Sequence, residues 1–204
     1  MRRRLISAAI AITVIPAAAN AQLTIDMAAF TCDQYLAMSP SMSRDFSAWM
    51  SGWFSYQTRR TFVDVLAHQK NIAAVKSWCQ YRPQEKVMTA LQNQSDRSES
   101  LEIRRVAMRW TVPFIATIFL AAAPLPGTAQ ISLDMSRITC RDWLGYSPEN
   151  RDFVRFWMSG HYNAAANNSV LDYNRLQRNS AKVAAYCKRH KSDTLPTAIN
   201  NSAS

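Results

Sequence analysis

Apolar side chains recur at helical spacing through two stretches of the chain. Phe46, Trp49, Met50, Trp53 and Phe54 fall at i, i+3, i+4, i+7 and i+8, one face of a helix. Phe153, Phe156, Trp157 and Met158 form a similar but less regular face further on. A second helix is predicted from Ala67 to Cys79, with Ile72, Val75, Trp78 and Cys79 inward, and Lys182 to Cys187 matches its end. Thr31, with Gln34 three residues later, predicts a capping box over a short helix from Cys32 to Met38, after which Ser39-Pro40 turns the chain. Thr139 to Tyr146 and Ser147-Pro148 repeat that arrangement. Val87, Met88 and Leu91 after Pro83 predict a last short helix, whose counterpart Pro196 argues against. The pattern is all-α, with about four short helices in each of two small domains.

The two stretches are copies of one unit. Gln22 to Cys32 returns as Gln130 to Cys140, and Trp49-Met-Ser-Gly52 returns as Trp157-Met-Ser-Gly160. Across 58 aligned positions at a constant offset of 108 residues, 18 are identical. An ancestral unit copied in tandem is the simplest cause.

Each copy follows a segment with export character. Met1-Arg-Arg-Arg4, the apolar run Leu5 to Ala19 and the small-residue ending Ala19-Asn20-Ala21 have the three parts of a signal peptide, 1–21. Arg104, Arg105 and Arg109 lead into a second apolar run, Trp110 to Leu125, and Gly127-Thr128-Ala129 stands directly before Gln130. The organisation is therefore signal peptide 1–21, copy one 22–95, linker 96–107, signal-like segment 108–129 and copy two 130–204. The competing reading of 110–125 is a membrane anchor, and a buried core helix is a third. A span needs about 20 apolar residues, whereas this run offers 16, bracketed by Pro113, Pro124 and Pro126.

Copies of about 75 residues bury only about 60% of their unfolded surface and usually need a staple. Each has two cysteines in a chain with export signals, which pairs Cys32 with Cys79 and Cys140 with Cys187 as disulfides. A zinc site is disfavoured because no Cys-x-x-Cys exists and His68, His161 and His190 do not recur between copies. The same absence disfavours a catalytic thiol.

Much of the basic excess is targeting sequence, since residues 1–21 and 96–129 carry +4 of the net +10; copy one has 7 basic and 5 acidic residues, copy two 10 and 6. The cluster Lys188-Arg189-His190-Lys191 reads as solvated charge, and no nucleic-acid binding is expected. The chain has 4 glycines and no phosphate loop or nucleophile motif, so neither catalysis nor a cofactor or metal is expected. Asp26, Asp64, Asp134 and Asp172 recur and permit an acid/base reading, but helix capping explains them more simply.

The order Asp26-Met27, Thr31-Cys32-x-x-Tyr35-Leu36, Trp49-Met50, Asp64-Val65, Val75 and Trp78-Cys79 resembles the HdeA/HdeB family of acid-activated periplasmic chaperones. Copy two is similar through Asp134-Met135, Thr139-Cys140-x-x-Trp143-Leu144, Trp157-Met158, Val183 and Tyr186-Cys187-Lys188. The resemblance implies a compact helical domain with one disulfide, dimeric at neutral pH, that loosens in acid and holds unfolding periplasmic proteins without catalysis or cofactor. Partners are then acid-denatured periplasmic proteins, with homodimer or domain–domain pairing at neutral pH and membrane contact only if 110–125 is retained. Full protonation of carboxylates takes copy one from +2 to +7 and copy two from +4 to +10, with histidines adding one and two more. Self-repulsion then opposes the compact state. The aromatic face of Phe46, Trp49, Met50, Trp53, Phe54, Phe153, Phe156 and Trp157 is expected to be core at neutral pH and client surface in acid. The alternative is a small exported interaction module with a dedicated envelope partner and that face already exposed at pH 7.

Overall fold

A computed structural model describes residues 24–93 and 132–202. The signal peptide, the linker 96–107 and the signal-like segment 108–129 lie outside the described residues. Among the described residues no helix is long and apolar enough to cross a membrane.

Copy one runs β1 (Thr24–Asp26), α1 (Cys32–Leu36), α2 (Pro40–Gln57), β2 (Phe62–Asp64), α3 (Val65–Gln80) and a last helix α4 (87–93). Copy two repeats the order with β3 (Ser132–Asp134), α5 (Cys140–Gly145), α6 (Pro148–Ala165), β4 (Val170–Asp172), α7 (Tyr173–Arg189) and α8 (Leu195–Ser202). Local chemistry accounts for the starts. The Asp142 carboxylate accepts from the Thr139 N–H at 3.1 Å while the Thr139 hydroxyl accepts from the Asp142 N–H at 3.2 Å, a reciprocal capping box. In copy one Gln34 accepts from the Thr31 N–H at 3.0 Å. Ser39 and Ser147 cap the two long helices, with Pro40 and Pro148 in the first turn, where no N–H is required. Asp64 and Asp172 cap α3 and α7 through the Ala67 and Arg175 N–H groups, at 3.0 and 2.9 Å. The ends of α2 and α6 are reversed by left-handed Arg59 and Asn167, which occupy twin positions.

Three features differ from the pattern-based expectation. Pro196 does not prevent α8: it lies in the first turn, where proline's fixed φ suits a helix. Ser39-Pro40 and Ser147-Pro148 begin helices rather than serving as free turns. Four three-residue strands are added, too short to show an alternating pattern.

Those strands reveal the architecture. β1 pairs antiparallel with β4 of the other copy, Thr24 opposite Asp172 and Ile25 opposite Leu171. β2 pairs with β3 in the twin register, Asp64 opposite Ser132 and Val63 opposite Leu133. Each pairing maps onto the other by the offset of 108, so the copies obey the self-complementary rule of a twofold dimer inside one chain. The cores are shared accordingly. Phe156 and Leu171 of copy two are buried in copy one's cluster, and Val63 of copy one is buried in copy two's.

Within each copy a disulfide ties α1 to the end of α3, Cys32 to Cys79, and α5 to the end of α7, Cys140 to Cys187. All four cysteines are buried. The short helix is also tied to the long one. The Tyr35 hydroxyl meets the Ser47 hydroxyl at 2.8 Å, which donates to the Ser43 carbonyl at 2.7 Å. In copy two the Trp143 indole N–H donates directly to the twin carbonyl, that of Arg151, at 3.4 Å.

Candidate functional site: the seam between the copies

Among the described residues the largest contact is that of α2 with α6. Its centre is the repeated Trp-Met-Ser-Gly. A Cβ placed on Gly52 would stand 1.9 Å from the Trp157 carbonyl oxygen, and one on Gly160 would stand 1.9 Å from that of Trp49. No side chain fits between these backbones, which is why glycine occupies both positions. Among 4 glycines in the chain, two are spent at this crossing.

Around the crossing the predicted aromatic face is buried. Phe46, Trp49, Phe156 and Trp157 are at most 1% exposed, Met50 is 2% and Trp53 8% exposed, while Phe54 and Phe153 are half-buried against the cores. The twin of Phe46 is Val154, also buried, and the irregular face in copy two arises because its apolar positions are Val154, Phe156, Trp157 and Met158. Reading aromatics alone misses Val154. It also misses Met27 and Met135, both fully buried just after the first strand of each copy.

The twin positions 53 and 161 differ in chemistry. In copy one Trp49 and Trp53 stack at 5.2 Å between ring centres. In copy two Trp157 stacks at 5.1 Å on His161, which also meets Tyr56 of copy one edge-on at 5.2 Å. The His161 Nδ1 is buried with no protein partner, and burial pushes its pKa down. His68 on α3 meets Phe153 of α6 edge-on at 5.2 Å, and burial pushes its pKa down to about 4. Its twin position holds Leu176, packed against copy one's core. The third histidine, His190, is exposed and stacks on Tyr186 at 4.2 Å. Because the histidines do not recur, a search for repeated chemistry passes over them. Their placement on the seam is visible only in three dimensions.

Ion pairing contributes little to the seam. Arg44 and Glu149 join the copies at 3.6 Å, but both side chains are largely exposed, a setting in which such pairs contribute about 0–1 kcal/mol. Asp45 is half-buried beside Asp152, Tyr173 and Arg155, and burial followed by the Asp152 charge raises its pKa. Three carboxylates titrate below the usual range because the folded chain donates hydrogen bonds to them. Asp33 is held by Thr31, Asp134 by Ser136 with help from Thr61 of copy one, and Asp142 by Thr139.

Two cavities flank the seam at twin positions, about 290 Å³ in copy one and about 150 Å³ in copy two. Met50 and Val75 line the first, Met158 and Val183 the second. The buried faces of the long helices are thus incompletely filled on their outer sides, where each void forfeits dispersion contacts.

Each carboxylate that recurs has a local backbone partner: Asp64 and Asp172 cap helices, and Asp26 and Asp134 accept from the N–H groups of Ala28 and Ser136. Among the described residues no group of three His, Cys, Asp or Glu side chains stands where a metal ion would bind.

No curated protein and no solved structure matches the chain. One family model does, twice, over residues 3–89 and 110–197. Both matches include the apolar segment ahead of the copy as well as the copy itself, in keeping with a duplicated precursor. With most of its length covered by those two matches, the chain belongs to the HdeA/HdeB family, as two tandem copies.

Proposed function

We propose that this protein is an exported, periplasmic holdase that acid switches on, and that the switch is the parting of its own two copies. The supporting observation is the seam: the large aromatic surface is buried between α2 and α6, where a free chaperone surface would expose it. Parting the copies uncovers Trp49, Trp53, Phe156 and Trp157 together, and large aromatics suit varied partners because they bury much area at little entropic cost. Partners are unfolding periplasmic proteins, and the reading assigns the chain no catalysis and no cofactor. The disulfides fit an oxidising compartment. The interaction-module alternative requires this face to be exposed at neutral pH, and its central residues are buried.

The test is client aggregation in the presence of the full disulfide-intact chain at pH 3 and pH 7, with a hydrophobic dye. Suppression and dye binding in acid alone support the reading. Absence of suppression at both pH values would remove it. The full chain is required, since copy one alone lacks Phe156 and Leu171 from its core.

The covalent link adds an expectation about concentration. A dimer of separate subunits dissociates more readily on dilution, whereas linked copies remain at a fixed effective concentration. The acid midpoint of this chain is therefore expected to stay constant across a hundredfold dilution, read by dye binding. A midpoint that rises in pH on dilution would place the functional seam between chains.

A further inference from the structure

We propose that His68 and His161 are the acid sensors of the seam, and that protonation of these two imidazoles is the event that begins to part α2 from α6. The inference rests on the acid-opening reading above and goes beyond it by naming the groups that respond first.

The geometry carries it. Each imidazole makes a ring contact across the boundary between copies: His68 of copy one against Phe153 of copy two, His161 of copy two against Tyr56 of copy one. What they touch is aromatic carbon. The titratable groups against His161 are Tyr56 from α2 and Tyr162 from its own helix. His68 lines the copy-one cavity with Arg60, Asp64 and Tyr35, of which Arg60 repels a second cation and Asp64 caps α3 through the Ala67 N–H. For both histidines, burial is the cause of the pKa shift. Burial disfavours the imidazolium at both places, since each ring packs against a ring of the other copy and the buried His161 Nδ1 has no protein partner.

The sign follows. Each histidine has a lower pKa folded than unfolded, so the parted chain binds more protons. Stability of the seam is complete above about pH 6.5, the unfolded value, and declines as pH falls. For His68 the decline continues to its folded value of about 4. A shift of that size changes the opening equilibrium on the order of a hundredfold. The depressed carboxylates of Asp33, Asp134 and Asp142 act later, since their contribution is lost only below the ordinary carboxylate value of 3.8. Asp45 acts the other way: burial and then the Asp152 charge raise its pKa, so its protonation favours the folded form and does not start the opening.

The duplication supplies its own controls. Copy one carries Trp53 at the position equivalent to His161, and copy two carries Leu176 at the position equivalent to His68, so each swap brings in the residue the other copy uses. The experiment compares the full chain with His68→Leu, His161→Trp, the double variant and His190→Gln, the last altering an exposed histidine away from the seam. Amide exchange across α2 and α6 and dye binding are followed from pH 7.5 to 2.5, with client protection measured in parallel. The double variant is expected to lower the opening midpoint by about one pH unit or more, toward the carboxylate range, with each single variant contributing and His190→Gln unchanged. A double-variant midpoint within about 0.2 units of the parent overturns the inference. Should a swap prevent folding, direct NMR titration of the two imidazoles in the parent chain decides: the inference requires both His68 and His161 to titrate below the ordinary value of about 6.5, and values near 6.5 for both overturn it. Shifted midpoints without client protection at any pH would leave the sensors in place and remove the holdase reading instead.

Discussion

Gly52→Ala is expected to destabilise the protein, although alanine is the better helix former. In an exposed helix interior the exchange stabilises by about 1 kcal/mol. Gly52 is not in such a place: the added methyl would lie 1.9 Å from the Trp157 carbonyl oxygen and 2.8 Å from its carbonyl carbon. Contacts this short with backbone are not relieved by turning a side chain, so α2 and α6 must separate along their length. Overpacking of cores typically costs about 1–3 kcal/mol and more when backbone must move, and the lost contacts of Trp49, Trp53 and Trp157 add to it. A net loss of about 2–4 kcal/mol is expected. Gly160→Ala should match it because the twin contact has the same 1.9 Å geometry. Gly145→Ala is the control, since nothing lies within 4 Å of its added Cβ. Urea unfolding at pH 7 checks all three. Equal stability of the Gly52 and Gly145 variants would show that the helices do not meet as described. If the seam is the acid switch, Gly52→Ala should also bind hydrophobic dye at a higher pH than the parent.

The expected failure at Gly52 marks the boundary of what the sequence reveals. The helices were legible because apolar periodicity is a local property: the face from Phe46 to Phe54 lies within α2, and Thr139 with Asp142 announces the start of α5. The cysteine pairs were legible because export character and an even count leave few alternatives. The strands were not, since three residues cannot display a period and these pair only with the other copy. Pro196 misled because its effect depends on position: destructive inside a helix, acceptable in the first turn. The site was half legible. Its aromatics recur and attract notice, but recurrence itself hid His161, which stands where copy one has Trp53, and His68, which stands where copy two has Leu176. Duplication allows the copies to diverge, so positions where twins disagree are as informative as those where they agree. The repeated Gly52 and Gly160, in a chain with few glycines, were the one direct sequence sign of two backbones in contact.

Removing one disulfide is expected to cost about as much as any single substitution in the seam, and to affect both copies. Cys32 and Cys79 are 47 residues apart, and closing such a loop restricts the unfolded chain by about 4 kcal/mol on the chain-entropy account. Cys32→Ser with Cys79→Ser forfeits that restriction and places two hydroxyls at sites where the cysteines are fully buried. Because Phe156 and Leu171 of copy two complete the core of copy one, the loss should not stay within copy one. A single unfolding transition at lower denaturant is expected, rather than early loss of one copy followed by normal unfolding of the other, and tryptophan fluorescence with exchange at α7 distinguishes the two. In acid the bridge has a further consequence. With both bridges intact, parting α2 from α6 exposes the aromatic surface while α1 stays tied to α3 and α5 to α7, so the opened chain remains looped and keeps its exposed rings near one another. With both reduced, the same protonation frees the whole chain to expand under its positive charge. Small-angle scattering at pH 3 should therefore give a markedly larger radius of gyration for the reduced chain, and client protection should fall with it. Equal radii in the two redox states would mean that packing, not the bridges, limits the acid form, and the opening would then have to be confined to the seam itself.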